Sequence, residues 1–371
     1  MKTVLSVFGT RPEAIKMAPV VKELESREGV RSVVCVTAQH RKMLDQVLEV
    51  FKISPDYDLN VMKDGQTLTH ITAEVLKGME GILREVKPDI VLVHGDTTTA
   101  MATALAAFYQ QVAIGHVEAG LRTYDKYSPY PEEINRQVID RLADYLFAPT
   151  DVSKGNLEER LNKGQRIFVT GNTAIDALKT TVSQEYKNSH LDWASGSRLI
   201  LVTAHRRENL GEPMKRIFGA IRRIVDDYPD VKVIYPVHLN PRVQEVANEV
   251  LGGHERVRLI EPLDVLDFHN FMEKSYIIMS DSGGIQEEAP ALGKPVLVLR
   301  DTTERPEGIA AGTLKLVGTE ADVIYEEARL LLSDQGAYDK MSKAANPYGD
   351  GMASKRIVDA IMEEENGKTT S

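Results

Sequence analysis

The chain has 371 residues, too many for one hydrophobic core of ordinary size, so two domains of roughly 150 to 200 residues are expected. With 42% hydrophobic and 27% charged residues the composition is globular, which excludes a disordered or low-complexity protein. A net charge of -10 excludes a protein whose main task is holding nucleic acid on a broad basic surface, and no run reaches the ~18 apolar residues of a membrane span.

Short β-branched runs alternate with helical patterns from the first residues on, the signature of βαβ units around parallel sheets. Residues 3–7 form the first expected strand; the run ends in Gly9-Thr10-Arg11-Pro12, a turn rather than the cleavage site of a leader. The next strand, 31–37, contains Cys35, the single cysteine, which has no intrachain partner and is expected in the core of a protein from a reducing, cytoplasmic compartment. Strands at 90–94, 113–117 and 145–148 follow, with an alanine-rich helix at 97–109.

A second series opens at 166–170 and continues through 198–203, 231–236, 257–260, 276–280 and 295–299. Helices fall at 213–227, 241–251, 263–274, 284–292 and 321–333, and an amphipathic helix at 354–365 follows a turn-rich stretch. The fold class is therefore α/β, with residues 1–168 as an N-terminal Rossmann-like domain and 169–353 as a C-terminal one. No repeat of 20 to 50 residues is visible, which excludes a solenoid.

In open parallel sheets ligands bind outside the carboxyl ends of the strands, so the polar residues just after each strand are the candidates. After the first strand come Arg11, Pro12 at an expected first helical position, and Lys16: two cations at a helix N-terminus, suited to an anion but without Walker spacing. The third and fourth strands end in Asp96 and Glu118. Asp96 also reads as the N-cap of the alanine-rich helix, whereas Glu118 sits in a Gly-rich turn with no helix to cap. Glu132 and Glu133 open a helix whose macrodipole favours acids, yet a third carboxylate near Asp96 and Glu118 would also raise the pKa of one of them.

In the second half, His205 and His238 follow successive strands, and His205-x-x-Glu208 lacks the histidine pair of a helical zinc site, so no metal is expected. Ser280-Asp281-Ser282-Gly283-Gly284 runs into a helix that carries Glu288 one turn on. Two glycines let the backbone approach a diphosphate, and the carboxylate can accept from ribose hydroxyls. Arg305 follows the next strand on the same rim.

Taken together, FGTRPEAIKMAPV, HGDTTTAMATALAA, HVEAGLRT, PYPEEINR, VTGNTAIDAL, TAHRREN, PVHLNP and SDSGGIQEEAPALGKPVLVLRDTTERPEG resemble, in this order and over nearly the whole chain, the non-hydrolysing UDP-N-acetylglucosamine 2-epimerases. The resemblance implies the GT-B fold, two Rossmann-like domains facing across a cleft, with the last helix, 354–371, crossing back to the N-terminal domain. It implies that Lys16, Asp96, Glu118, Glu132 and His205 are catalytic and that Arg11, His238, Phe268, Ser282, Gly283, Gly284, Glu288 and Arg305 bind UDP. Gln39, His40, Gln66, Glu132, Arg206 and His238 match a second, activating UDP-N-acetylglucosamine site of bacterial members. The implied partners are UDP-N-acetylglucosamine, UDP and a second copy in a homodimer, with no cofactor, metal, nucleic acid or membrane.

The C2 hydrogen of a nucleotide sugar is barely acidic, and the family answers by elimination: UDP leaves C1 as a base takes the C2 proton, and UDP re-adds with the proton returned to the other face. That needs acid and base groups on both faces, cations for the diphosphate and exclusion of water. Three rivals use parts of the same equipment: a GT-B glycosyltransferase, a hydrolysing 2-epimerase, and a non-catalytic nucleotide-sugar sensor.

Overall fold

The computed structural model describes residues 1–37, 41–61, 65–303 and 305–363. Gln39 and His40, two of the residues expected at an activator site, and the end of the expected terminal helix lie outside them. By its contacts the chain divides into two units, residues 1–179 with 348–371 and residues 180–347.

The first unit is built on β1 (Lys2–Phe8), β2 (Val30–Val36), β3 (Tyr57–Asp58), β4 (Ile90–His94), β5 (Ala113–Val117), β6 (Tyr145–Ala148) and β7 (Arg166–Val169). They form one seven-stranded sheet in the order β3-β2-β1-β4-β5-β6-β7, each neighbouring pair parallel. Residues 166–170 thus do not open the second series. They close the first sheet beside β6, with Arg166 opposite Tyr145 and Val169 opposite Ala148. The last unit-one helix before the division is Thr173–Thr181, whose final residues reach into the second unit.

All five residues of β4 are buried, as a strand covered on both faces must be. The alanine-rich helix Thr98–Tyr109 is buried on more than one side, with Ala100, Ala102, Ala104 and Ala107 all without exposed surface, because small side chains let neighbouring elements approach closely. Cys35 lies in this core and its thiol is pushed up to about 12, by burial first and by Asp58 second, so it is inert packing. The helix Ala353–Met362 also belongs to this unit, with Ile357 and Ile361 buried, Arg27 Nη2 2.7 Å from Asp359 Oδ1 and Lys2 Nζ donating to the Ile361 carbonyl at 2.7 Å.

The second unit carries β8 (Arg198–Thr203), β9 (Val231–Pro236), β10 (Val257–Ile260), β11 (Ile277–Ser280), β12 (Val296–Val298) and β13 (Leu314–Leu316). Its six strands are parallel in the order β10-β9-β8-β11-β12-β13. The core is aliphatic, centred on Ile200, Val202, Ile221, Val233 and Met279, with the Phe218 and Tyr235 rings 5.4 Å apart. Each sheet reverses its winding once, between β1 and β4 and between β8 and β11, and those reversals open the crevices where ligands bind in doubly wound sheets.

Candidate active site

In the first unit the switch-point crevice is acidic. Glu118 follows β5 at φ 68°, a left-handed backbone rare for a residue with a side chain. Its carboxylate is ion-paired with Lys16, accepts from Asn172 Nδ2 at 3.0 Å and lies 3.5 Å from His94 Nε2. Lys16 sits one turn into the helix Arg11–Glu25, so this pairing joins the ends of β1 and β5. Burial pushes the His94 imidazole down to about 3 despite Glu118 beside it, so His94 is neutral at any working pH.

Asp96 follows β4. It is not the N-cap expected of it: Thr97 caps the helix Thr98–Tyr109, its hydroxyl accepting from the Ala100 N–H at 3.0 Å. The hydroxyl is close enough to reach the N–H three residues on, and Asp96 is left for other work. Arg136 Nη2 donates to Asp96 Oδ2 at 2.6 Å, and Asn135 Nδ2 to the Asp96 carbonyl at 2.9 Å. Both belong to the helix Glu132–Leu142, which Glu132 opens. Burial raises the Asp96 pKa; Arg136 opposes, while the negative fields of Glu118 and Glu132 add to the rise. Asp96 therefore feels both other candidate carboxylates, with Arg136 paired to Asp96 and Lys16 to Glu118.

Glu133, beside Glu132, does something else. It is fully buried and accepts from the Thr123 and Tyr124 N–H groups at 3.0 and 3.1 Å, pinning the loop that leads to the helix, where the Ser128–Pro129 and Tyr130–Pro131 bonds are cis.

Arg11 is the first residue of its helix and Pro12 the second, one position later than expected, because Thr10 is the N-cap. Glu13 completes a capping box with Thr10, and its buried carboxylate also accepts from the Gly9 N–H at 3.0 Å and from the Thr97 hydroxyl at 2.6 Å. The capping box is spelled by T-x-x-E, whereas the tie between the β1 and β4 loops has no local sequence signal.

The second unit's crevice gathers the other group. His205 and His238, after β8 and β9, stack with ring centroids 5.4 Å apart. Asp281, at the end of β11, is fully buried; its Oδ1 lies 3.2 Å from His205 Nδ1, and its Oδ2 accepts from the His205 and Arg206 N–H groups at 2.9 Å each and from Asn209 Nδ2 at 3.0 Å. Burial alone would raise this carboxyl, but those donors outweigh it and hold it below its usual range. Asp281 is not among the candidates read from the sequence; its only signal there is its place between a strand and Ser282-Gly283-Gly284, and its burial shows only in the structure.

That turn leads into the helix Gly283–Glu288 and a 3-10 turn, Ala289–Leu292, in place of one continuous helix. A Cβ on Gly283 would come within 3.0 Å of the Arg305 guanidinium, whose Nε is fixed by Glu287 at 2.9 Å. Gly283, Gly284 and Arg305 are thereby brought together. Glu288 lies 3.5 Å from His269 Nε2, which puts it next to the helix Val265–Lys274 carrying half-buried Phe268. Glu208 pairs with Arg300 at 2.8 Å, and among the described residues no three acidic, histidine or cysteine side chains gather as metal ligands. Gln66 is half-buried just before the helix Leu68–Val86, in the first unit, whereas Arg206 and His238 are in the second.

Among the described residues no helix is long and apolar enough to cross a membrane. The family described as UDP-N-acetylglucosamine 2-epimerase matches residues 22–362. A UDP-N-acetylglucosamine 2-epimerase of Bacillus subtilis is 62% identical over 97% of this chain and 94% of its own. A crystal structure from Listeria monocytogenes matches at 57% identity and a TM-score of 0.95, covering 99% of this chain and 98% of that one. A UDP-GlcNAc 2-epimerase from Neisseria meningitidis, solved bound to UDP-GlcNAc, matches at 51% identity and a TM-score of 0.86, over 97% and 100% of the two chains. Its two doubly wound sheets and these likenesses over nearly its whole length show that the chain belongs to the UDP-N-acetylglucosamine 2-epimerase family.

Proposed function

We propose that this enzyme interconverts UDP-N-acetylglucosamine and UDP-N-acetylmannosamine by elimination and re-addition of UDP. The observation that carries the reading is the cluster after β4 and β5, where the fields of Glu118 and Glu132 add to burial in raising the Asp96 pKa and Glu118 is ion-paired with Lys16. A carboxylate whose pKa is pushed upward by burial and neighbouring acids is a group from which an acid or a base is made. In the forward direction one of them takes the C2 proton while the C1–oxygen bond breaks and its electron pair leaves with UDP, so that 2-acetamidoglucal forms with a C1=C2 double bond. UDP then re-adds at C1 as a proton arrives at the opposite face of C2.

In the second unit, His205, Ser282, Gly283, Gly284 and Arg305 hold the diphosphate, Glu288 the ribose hydroxyls, and Phe268 and His238 the rest of the nucleotide; Arg11 of the first unit adds a cation for the diphosphate. Support comes from the cradle at Gly283, where only a missing side chain leaves room beside Arg305, and from the UDP-GlcNAc bound by the Neisseria meningitidis relative. The chemistry calls for neither metal nor nicotinamide. Family membership also supports three further parts of the reading: an activator site drawing on Gln39, His40, Gln66, Glu132, Arg206 and His238, a homodimer, and a cytoplasmic location.

The test is incubation with UDP-N-acetylglucosamine in heavy water. The expected product is UDP-N-acetylmannosamine carrying deuterium at C2. Free N-acetylmannosamine with stoichiometric UDP would favour hydrolysis instead, and an unlabelled sugar passed to an acceptor would favour glycosyl transfer.

A further inference from the structure

One buried histidine joins the loops that carry Asp96 and Glu118. His116, the fourth residue of β5, has no exposed surface. Its Nδ1 lies 2.6 Å from Asp140 Oδ1 and its Nε2 2.7 Å from the Gly95 carbonyl oxygen. A carbonyl only accepts, and an ionised carboxylate only accepts, so each ring nitrogen has to supply a hydrogen. A neutral imidazole has one such hydrogen. Asp140 is the ionised partner: its other oxygen takes Arg122 Nη2 at 2.6 Å and the Gly120 N–H at 3.3 Å. Burial would raise its pKa, but His116 and Arg122 outweigh burial and hold it below the usual carboxylate value.

Geometry links this cluster to the reacting groups. Gly95 directly precedes Asp96, and its peptide is gripped on both sides, the N–H by the Val117 carbonyl at 2.9 Å and the carbonyl by His116. Gly120, held by Asp140, is two residues beyond Glu118. We propose that His116 is a positioning residue, kept as an imidazolium between Asp140 and the Gly95 carbonyl, that fixes the Asp96 turn against the Glu118 turn. This rests on the roles given above to Asp96 and Glu118.

The experiment has two readouts on the full-length enzyme. The first is nitrogen NMR of protein labelled with ¹⁵N at histidine, with His116 assigned by comparison with His116→Gln. Both of its nitrogens should carry slowly exchanging hydrogens; one bare nitrogen would overturn the proposal, whatever the variants do. The second is kcat per UDP-binding site in His116→Gln and Asp140→Asn. A displaced reacting group costs on the order of 100-fold in rate, and that loss is expected with UDP affinity unchanged. A merely structural role would instead lower the melting temperature and the number of binding sites, leaving kcat per site as in the wild type, and that result would sink the proposal. Asp96→Asn and Glu118→Gln run alongside. If they keep full turnover, the acid–base reading fails; if they lose it while His116→Gln and Asp140→Asn do not, only the positioning inference fails.

Discussion

At the scale of single residues, two aspartates at strand ends are tuned in opposite directions. Asp96 is raised, because burial and the neighbouring acids outweigh Arg136. Its contribution to stability is present below the pKa of an unfolded aspartate and is lost as pH rises through the folded value. Thermal melts from pH 4 to 8 should therefore show Asp96→Asn gaining on the wild type as pH rises; a constant or shrinking difference would contradict this assignment. Asp281 is lowered, by hydrogen bonds that outweigh its burial. Its contribution is present at neutral pH and is lost as pH falls through the carboxylate range. Asp281→Ala leaves the His205 and Arg206 amides without this acceptor and the Asn209 side chain with only the Leu299 carbonyl, and breaking a buried charged cluster costs about 3 kcal/mol or more. A markedly lower melting temperature at pH 7 is expected, and an unchanged one would mean that the turn holds itself.

At the scale of elements, two glycines answer differently to one methyl group. Gly120 has φ 86°, and a Cβ there would lie 2.3 Å from the Ser153 carbonyl oxygen, part of a helix backbone that cannot step aside. Gly120→Ala should cost roughly 2 kcal/mol or more, visible as a lower denaturation midpoint. Gly283→Ala meets instead the end of the Arg305 side chain, at 3.0 Å and not backbone, so stability should fall far less while UDP affinity falls, as calorimetry can measure. Equal effects of the two changes on stability would contradict this contrast.

Strand positions were legible because the β-branched runs are short and bounded: residues 90–94, 113–117, 145–148, 198–203, 231–236 and 257–260 all fall where the periodicity puts them. Sheet membership was not. β7 is a half-exposed edge strand of four residues, and nothing local in Arg-Ile-Phe-Val says that its partner is β6 and not β8. Two-residue β3 has too short a pattern to read at all. The capping box of Thr10 and Glu13 was written in the sequence, but a buried acid that caps one helix and also binds Thr97 becomes recognisable only through tertiary contact.

Across the whole molecule, one topological rule organises both units: each parallel sheet reverses once, and the polar residues that follow the strands beside the reversal converge. That is why Asp96, His205 and Ser282, with Lys16 in the helix after β1 and Glu118 one strand further on, could be named as candidates without coordinates. The buried supports behind them, Asp281, Asp140 and His116, could not, because the sequence of a strand end does not tell an acid that faces substrate from one that faces the core. The central claim is that the first unit's carboxylates move the C2 proton. Its most direct test is the rate of solvent deuterium entry at C2 in Asp96→Asn, Glu118→Gln and Glu132→Gln, with UDP binding measured on the same samples. Loss of a general acid or base costs ~100- to 10,000-fold, and each variant should fall that far while still binding UDP. Deuterium entry at the wild-type rate in all three would contradict the account.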